Sequence, residues 1–105
     1  MHKVSRSGEL EPSPGRTVTF EGETHGSGVS FFLGNNQPGA GPELHRHPYS
    51  ETWIVRAGTA RFTADGEEID AGPGDIVVVG PETPHMFKNF GDGRLEIVCI
   101  HASRG

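Results

Sequence analysis

Apolar residues fall in short runs along this chain, and each run gives way to polar or turn-forming residues. Runs rich in β-branched and aromatic residues occupy 16–20, 28–33, 51–57, 59–64, 67–70, 75–79, 85–90 and 94–101. Short runs of this composition, bounded by Gly, Pro, Asn and Asp, predict strands rather than helices. Within 59–64, Ala60, Phe62 and Ala64 alternate with Thr59, Arg61 and Thr63. One face is therefore apolar and the other polar, as in a half-buried antiparallel strand. The run from Ile76 to Val79 has no polar face, and we expect it to be covered on both sides, by a second sheet or by another subunit. Asp65-Gly66, between two runs, predicts a tight hairpin in which both central residues take positive φ. Gly91 and Gly93 around Asp92 mark the turn before the last strand.

Seven or eight strands at this spacing predict an all-β fold, a small barrel or a sandwich. The 16 Gly and 8 Pro are spread so evenly that the longest stretch lacking both is 94–104, which leaves no room for a long helix. A chain of 105 residues has enough surface to bury for one modest core. Residues 1–15 are polar, carry Pro12 and Pro14 and lack periodicity. They are expected to form a flexible N-terminal arm, leaving 16–105 as the folded domain.

The 9 basic and 14 acidic side chains give a net charge of −5 with no basic cluster, which argues against nucleic-acid and anionic-membrane partners. No apolar block is long enough for a secretory signal or a membrane span, so the expected location is cytoplasmic. The single cysteine, Cys99, has no internal disulfide partner, which suits a reducing compartment. It lies in the apolar run 95–100 and reads as a core residue.

Six histidines attract attention by their spacing more than by their number. His45 and His47 are two apart, so on an extended strand both imidazoles leave the same face and can converge on one ion. Glu51 keeps that parity four residues later, although Pro48 allows a bend between them. By itself this string is also compatible with surface histidines. Its surroundings read GX5HXHX3EX6G from Gly39 to Gly58, and a second string places His85 and Asn89 after Gly74.

These strings resemble the two motifs of the cupin superfamily, the second of which is GX5PXGX2HX3N. Gly80 and Glu82 stand where that motif has Pro and Gly, with Pro81 displaced by one. The resemblance implies an antiparallel cupin-type β-barrel, the jelly-roll-like double-stranded β-helix. It also implies that His45, His47, Glu51 and His85 meet on one metal inside it. Three neutral imidazoles and a carboxylate suit one divalent transition metal ion, Fe, Mn, Ni, Co, Cu or Zn, better than Ca or Mg. A six-coordinate ion on such a set keeps two positions open for water, dioxygen or a chelating substrate.

Parity from the ligands sketches a pocket. If Glu51 points inward, so do Trp53 and Val55; if His85 does, so do Phe87 and Asn89. Phe62 is a further candidate, and His101 shares parity with Leu95, Ile97 and Cys99 at the end of the last strand. His2 and His25 are expected to be solvent-exposed. The pocket is mainly apolar and lacks clustered Arg or Lys, so the expected partner is a small-molecule ligand or substrate. The leading functional expectation is a metal-dependent oxygenase acting on a small apolar or aromatic compound. The alternatives are a non-catalytic module that binds a metal or metabolite, and a metal-dependent isomerase or epimerase. For the last, no unclaimed inward carboxylate or lysine supplies a general base. A lean core, exposed sheet edges and the doubly apolar run predict a homodimer, with the arm and residues 77–79 contributing.

Overall fold

Strands form at the alternating runs: β1 (Val18–Phe20), β2 (Val29–Asn36), β3 (Glu51–Ala57), β4 (Ala60–Ala64), β5 (Glu67–Ala71), β6 (Ile76–Val79), β7 (His85–Asn89) and β8 (Leu95–Ala102). The computed structural model describes residues 2–103; the outermost residues of the expected arm and domain, 1 and 104–105, lie outside them. The helical content among the described residues is one 3-10 turn at Gly22–Thr24. Among the described residues, no helix is long and apolar enough to cross a membrane.

Two antiparallel sheets result, a five-stranded one in the order β1-β2-β8-β3-β6 and a three-stranded one in the order β5-β4-β7. The all-β barrel expectation is met. β2 runs three residues past its expected end because it pairs with β8 along its whole length, Gly34 opposite Ile97 included. Cross-strand pairing there outweighs the poor strand preference of glycine. The hairpin at Asp65-Gly66 has φ of 51° and 82°, the double positive φ its sequence requires.

Trp53, Val55, Phe62 and Leu95 are the largest fully buried side chains, and with Phe87 and Ile97 they fill the space between the sheets. Trp53 meets Phe62 edge to face at 5.5 Å between ring centroids, and Phe62 meets Phe87 at 5.4 Å. Burying side chains of this size contributes about 1.5–3 kcal/mol each, so the core rests on a few aromatic and aliphatic anchors.

The expectation that β6 is covered on both faces is not met within the chain. Val79 is buried, but Ile76 and Val78 on the opposite face are 63% and 65% exposed. The three-stranded sheet packs on one side of the five-stranded sheet only, and β6 is its edge strand. The apolar character of the outer face extends well beyond β6. Directly opposed residues of antiparallel strands share a face, so the pairings carry one row through Val18, Leu33, Val98, Ile54 and Ile76. A second row runs through Phe20, Phe31, Ile100, Thr52 and Val78. Part of the N-terminal arm lies over the β1–β2 end of this face, enclosing a cavity of about 1080 Å³ with Val18, Phe20, Phe31 and Leu33.

Candidate metal centre

The site begins where β2 hands the chain to β3. Residues 37–50 form no strand, yet they run beside the free edge of β7. The Gly39 N–H donates to the Asn89 carbonyl and the Asn89 N–H to that of Ala40, both at 2.9 Å. His45 and His85 exchange two backbone hydrogen bonds of 3.0 and 2.8 Å. Such close approach requires glycine at 41, where a Cβ would sit 2.0 Å from the Phe87 carbonyl oxygen. His45 and His85 are thus set side by side by the backbone itself.

His47 reaches the same point by a different route from the one its spacing suggested. The chain bends at Pro48 and Tyr49 before β3 opens with Glu51, so His45, His47 and Glu51 do not share one extended strand. The ring of proline fixes φ and removes a backbone donor, which makes a bend there cheaper than a continued ladder. The Glu82 N–H holds the carbonyl of His47 at 2.7 Å. Glu82 itself adopts φ of 59°, the left-handed conformation that the family motif assigns to glycine. A side chain other than glycine holds this conformation at a conformational cost.

One ligand atom from each of His45, His47, Glu51 and His85 can be chosen so that all lie within 4.8 Å of one another. Glu51 Oε1 is 2.5 Å from His47 Nε2 and 3.4 Å from His85 Nε2. His45 is exposed, His47 half-buried, and Glu51 and His85 buried. A carbonyl can only accept a hydrogen bond, so Nδ1–H of His45 donates to the Glu43 carbonyl at 2.6 Å. In the same way Nδ1–H of His85 donates to the Thr83 carbonyl at 2.7 Å. In neutral rings these bonds leave the Nε2 lone pairs of both free for an ion. His85 Nε2 is buried without a hydrogen-bond partner, and it faces a carboxylate oxygen that is also an acceptor. A cation between them would resolve that opposition.

Burial pushes the pKa of His47 down, and the neighbouring His85 and His45 push the same way against the attraction of Glu51. The neutral, metal-binding form is favoured. Donor types, tautomers and the orphaned nitrogen fit one borderline divalent ion of the Fe, Mn, Co, Ni, Cu and Zn group. On its other oxygen Glu51 accepts a hydrogen bond from the Cys99 thiol. Burial, and then the Glu51 carboxylate, push the Cys99 pKa up, which keeps the sulfur protonated as a donor.

Beside the four residues lies a cavity of about 420 Å³, walled mainly by Phe32, Tyr49, Trp53, Phe87 and Ile97. Thr17 and Asn36 add polar groups, and among the described residues no Lys or Arg is on the wall. Trp53 and Phe87 are both on this wall. Phe62 does not line the cavity: it is 1% exposed, packed between Trp53 and Phe87. His101 is not on the wall either. Its ring lies 4.9 Å from Tyr49 and 6.1 Å from Phe32, each of which is on the wall. Asn89 turns inward as expected but acts as a brace, its amide donating to the carbonyls of Asn36 and Gly93.

His2 is exposed, whereas His25 is not the free surface group its glycine-rich loop suggested; it is half-buried and stacks on Phe20 at 4.3 Å. The sequence reading offered neither the wall residues Thr17, Phe32, Asn36 and Tyr49 nor a role for Cys99 at the site. Tyr49 stacks face to face on His47 at 4.4 Å, and its position two residues after His47 was a usable signal. Cys99 reads as core by composition. Its contact with Glu51 depends on β8 pairing with β3, which nothing local encodes.

A family model described as Cupin domain matches residues 32–101. Among curated proteins, the uncharacterized protein MJ1618 of Methanocaldococcus jannaschii is 35% identical over 57 residues, covering 53% of this chain and 46% of that protein. The chain thus spans less than half the length of the curated relative it matches. A Cupin 2 conserved barrel domain protein from Salinispora arenicola superposes with a TM-score of 0.77 at 20% identity, over 96% of this chain and 88% of that one. An oxalate decarboxylase from Lactobacillus farciminis, solved as a formate complex, gives 0.80 at 24% identity, over 90% of this chain and 31% of that one. At these identities the structural likeness concerns the fold.

Proposed function

The chain belongs to the cupin domain family, and from that premise we propose that it is a metal-dependent oxygenase-type cupin acting on a small, uncharged apolar or aromatic substrate. The observation that carries this reading is the wall of the cavity beside the four ligands. It is largely aromatic and aliphatic, and its charged chemistry is confined to the ligand cluster. A dicarboxylate or a sugar phosphate would call for Arg or Lys there. When bound, a divalent transition ion would supply Lewis-acid polarisation of a substrate oxygen and, if redox-active, activation of dioxygen. His45, His47, Glu51 and His85 would hold that ion. Phe32, Tyr49, Trp53 and Phe87 would flank the substrate and exclude water, and Thr17 and Asn36 offer hydrogen-bonding groups at the same cavity. An isomerase or epimerase is disfavoured because, among the described residues, the wall carries no carboxylate other than Glu51 and no lysine to move a proton. A wall without a further carboxylate or a lysine also suits a module that binds a metal and a metabolite without turnover.

Element analysis of protein purified without added metal, followed by dioxygen uptake with neutral phenols and diketones, tests these alternatives. The oxygenase reading expects iron, copper, nickel or manganese and uptake that His47→Ala abolishes. Tight ligand binding without uptake would support the binding module. Failure of wild-type protein to bind Fe, Mn, Ni, Co, Cu or Zn on reconstitution would remove both.

We also propose that a second copy of this chain covers the outer face of the five-stranded sheet. Two apolar rows cross all five strands, which at about 4.8 Å per strand makes a face about 24 Å wide. The chain's own arm lies over one end of it, while Ile76 and Val78 at the other end are bare. A flat apolar sheet face packs best on another of the same kind, and a second copy supplies one.

A further inference from the structure

Cys99 is a buried thiol to which the function proposed above assigns no part. We infer that it is the positioning residue of the metal centre: its S–H holds Glu51 Oε2, so the carboxylate presents Oε1 alone to the ion. This rests on the metal-binding reading of the site.

The two oxygens of Glu51 face different neighbours. Oε1 lies against His47 Nε2 and His85 Nε2, on the side where an ion would sit. Oε2 accepts the hydrogen bond from Cys99 Sγ. The sulfur is not one of the ligand atoms that gather within 4.8 Å of one another, so the carboxylate links it to the cluster. Glu51 is 5% and Cys99 8% exposed, and although both border the cavity, the donor that Oε2 meets in the structure is the thiol. Strand register makes the contact reproducible. Cys99 stands directly opposite Trp53, and Glu51 is two residues from Trp53 on the same inward face, which makes the two diagonal neighbours.

A free carboxylate can bind an ion through one oxygen or both. Engaging Oε2 in a hydrogen bond disfavours the two-oxygen mode, which would occupy a position otherwise open to substrate. The thiol is a weak donor, so it orients the carboxylate while drawing little charge from it. It acts on the ion through Glu51 and is not itself a ligand.

The test compares Cys99→Ala, Cys99→Val and Cys99→Ser with wild type, reading cobalt(II) and manganese(II) affinity by chelator competition on folded metal-free protein. Loss of an outer partner of a metal ligand typically weakens affinity about 10- to 100-fold, and that loss is expected for both Ala and Val. Ser restores a donor and should bind within a few-fold of wild type. The cobalt(II) wild-type protein should lack a thiolate-to-metal charge-transfer band, and its ligand-field spectrum should change in Ala and Val but not in Ser. Thermal melting of each metal-free variant reports the packing loss separately. Wild-type affinity in the Val variant would reduce Cys99 to a filler of space and overturn the inference. A charge-transfer band that disappears in Ser would make the sulfur a ligand and overturn it equally. Either result leaves the metal site standing, whereas a wild-type protein that binds neither ion brings down both readings.

Discussion

Gly41→Ala tests how the backbone builds the metal centre. The added Cβ would lie 2.0 Å from the Phe87 carbonyl oxygen, 2.9 Å from its carbon and 3.0 Å from Lys88 Cα. All three are backbone atoms of β7, so no side chain can swing aside. Non-bonded carbon contacts are comfortable at about 3.5 Å, so the segment carrying His45 and His47 must retreat by roughly 1 Å or more. The flanking ladder bonds, Asn89 N–H to Ala40 and His45 N–H to His85, bracket the clash and would be stretched. At about 1 kcal/mol per bond the loss is about 1–3 kcal/mol. For a domain of this size that lowers the melting temperature by about 4–8 °C per kcal/mol. Metal ligands tolerate displacements of only about 0.2 Å, so binding must draw the segment back against the same strain. At about 1.4 kcal/mol per factor of ten, affinity should fall by about tenfold or more. Gly39→Ala is the control, because it has φ of 81° but no atom within 4 Å of the new Cβ, and it should cost stability without displacing ligands. Calorimetric titration with manganese(II) or cobalt(II), alongside melting curves, reads both effects. Wild-type affinity and melting temperature in Gly41→Ala would refute the reasoning.

Glu82→Gly should stabilise the metal-free protein by about 0.5–1 kcal/mol, because a side chain at positive φ costs about 1–2 kcal/mol and glycine recovers most of it. Glu82→Ala, which removes the charge and keeps the strain, should not; equal melting temperatures for the two would refute the strain. Ile76→Lys with Val78→Lys places charges on the bare end of the outer face, and sedimentation should shift from a dimer to an 11.3 kDa monomer. A wild-type monomer at tens of micromolar would refute the assembly. Because His47 is held below its ordinary pKa of 6.5, the unfolded chain takes up that proton first as pH falls. The metal-free protein should therefore lose stability below pH 6.5, and His47→Gln should flatten that part of a urea-midpoint profile.

Much of this is legible in the sequence because alternation and turn chemistry are local. Ala60 and Phe62 turn inward as their period of two requires, and Asp65-Gly66 could close its hairpin in few other ways. That His45, His47, Glu51 and His85 gather at one point is legible in the spacing of two strings, though the route by which they meet is not. The bend at Pro48 and the backbone pairing of His45 with His85 decide that route, and pairing across 40 residues leaves no local trace. The same holds for Cys99, whose partner is chosen by the pairing of β8 with β3, and for Phe62, whose inward face does not say whether it meets a cavity or another ring.

The coil beside β7 gives the protein an unequal distribution of rigidity. Residues 37–50 are attached to β7 by four backbone bonds, and to the turn before it by the bond between Glu82 and His47. Stretches held by few bonds open locally at a fraction of the free energy of global unfolding. This stretch carries two of the four candidate metal ligands, while Glu51 and His85 lie on strands β3 and β7. An ion would therefore bridge a movable half-site and a fixed one, coupling occupancy to closure of that side of the barrel. Amide exchange along residues 37–50 would then slow on metal addition while the β4–β5 hairpin stays unchanged, and the cavity would gain a door whose latch is the ion.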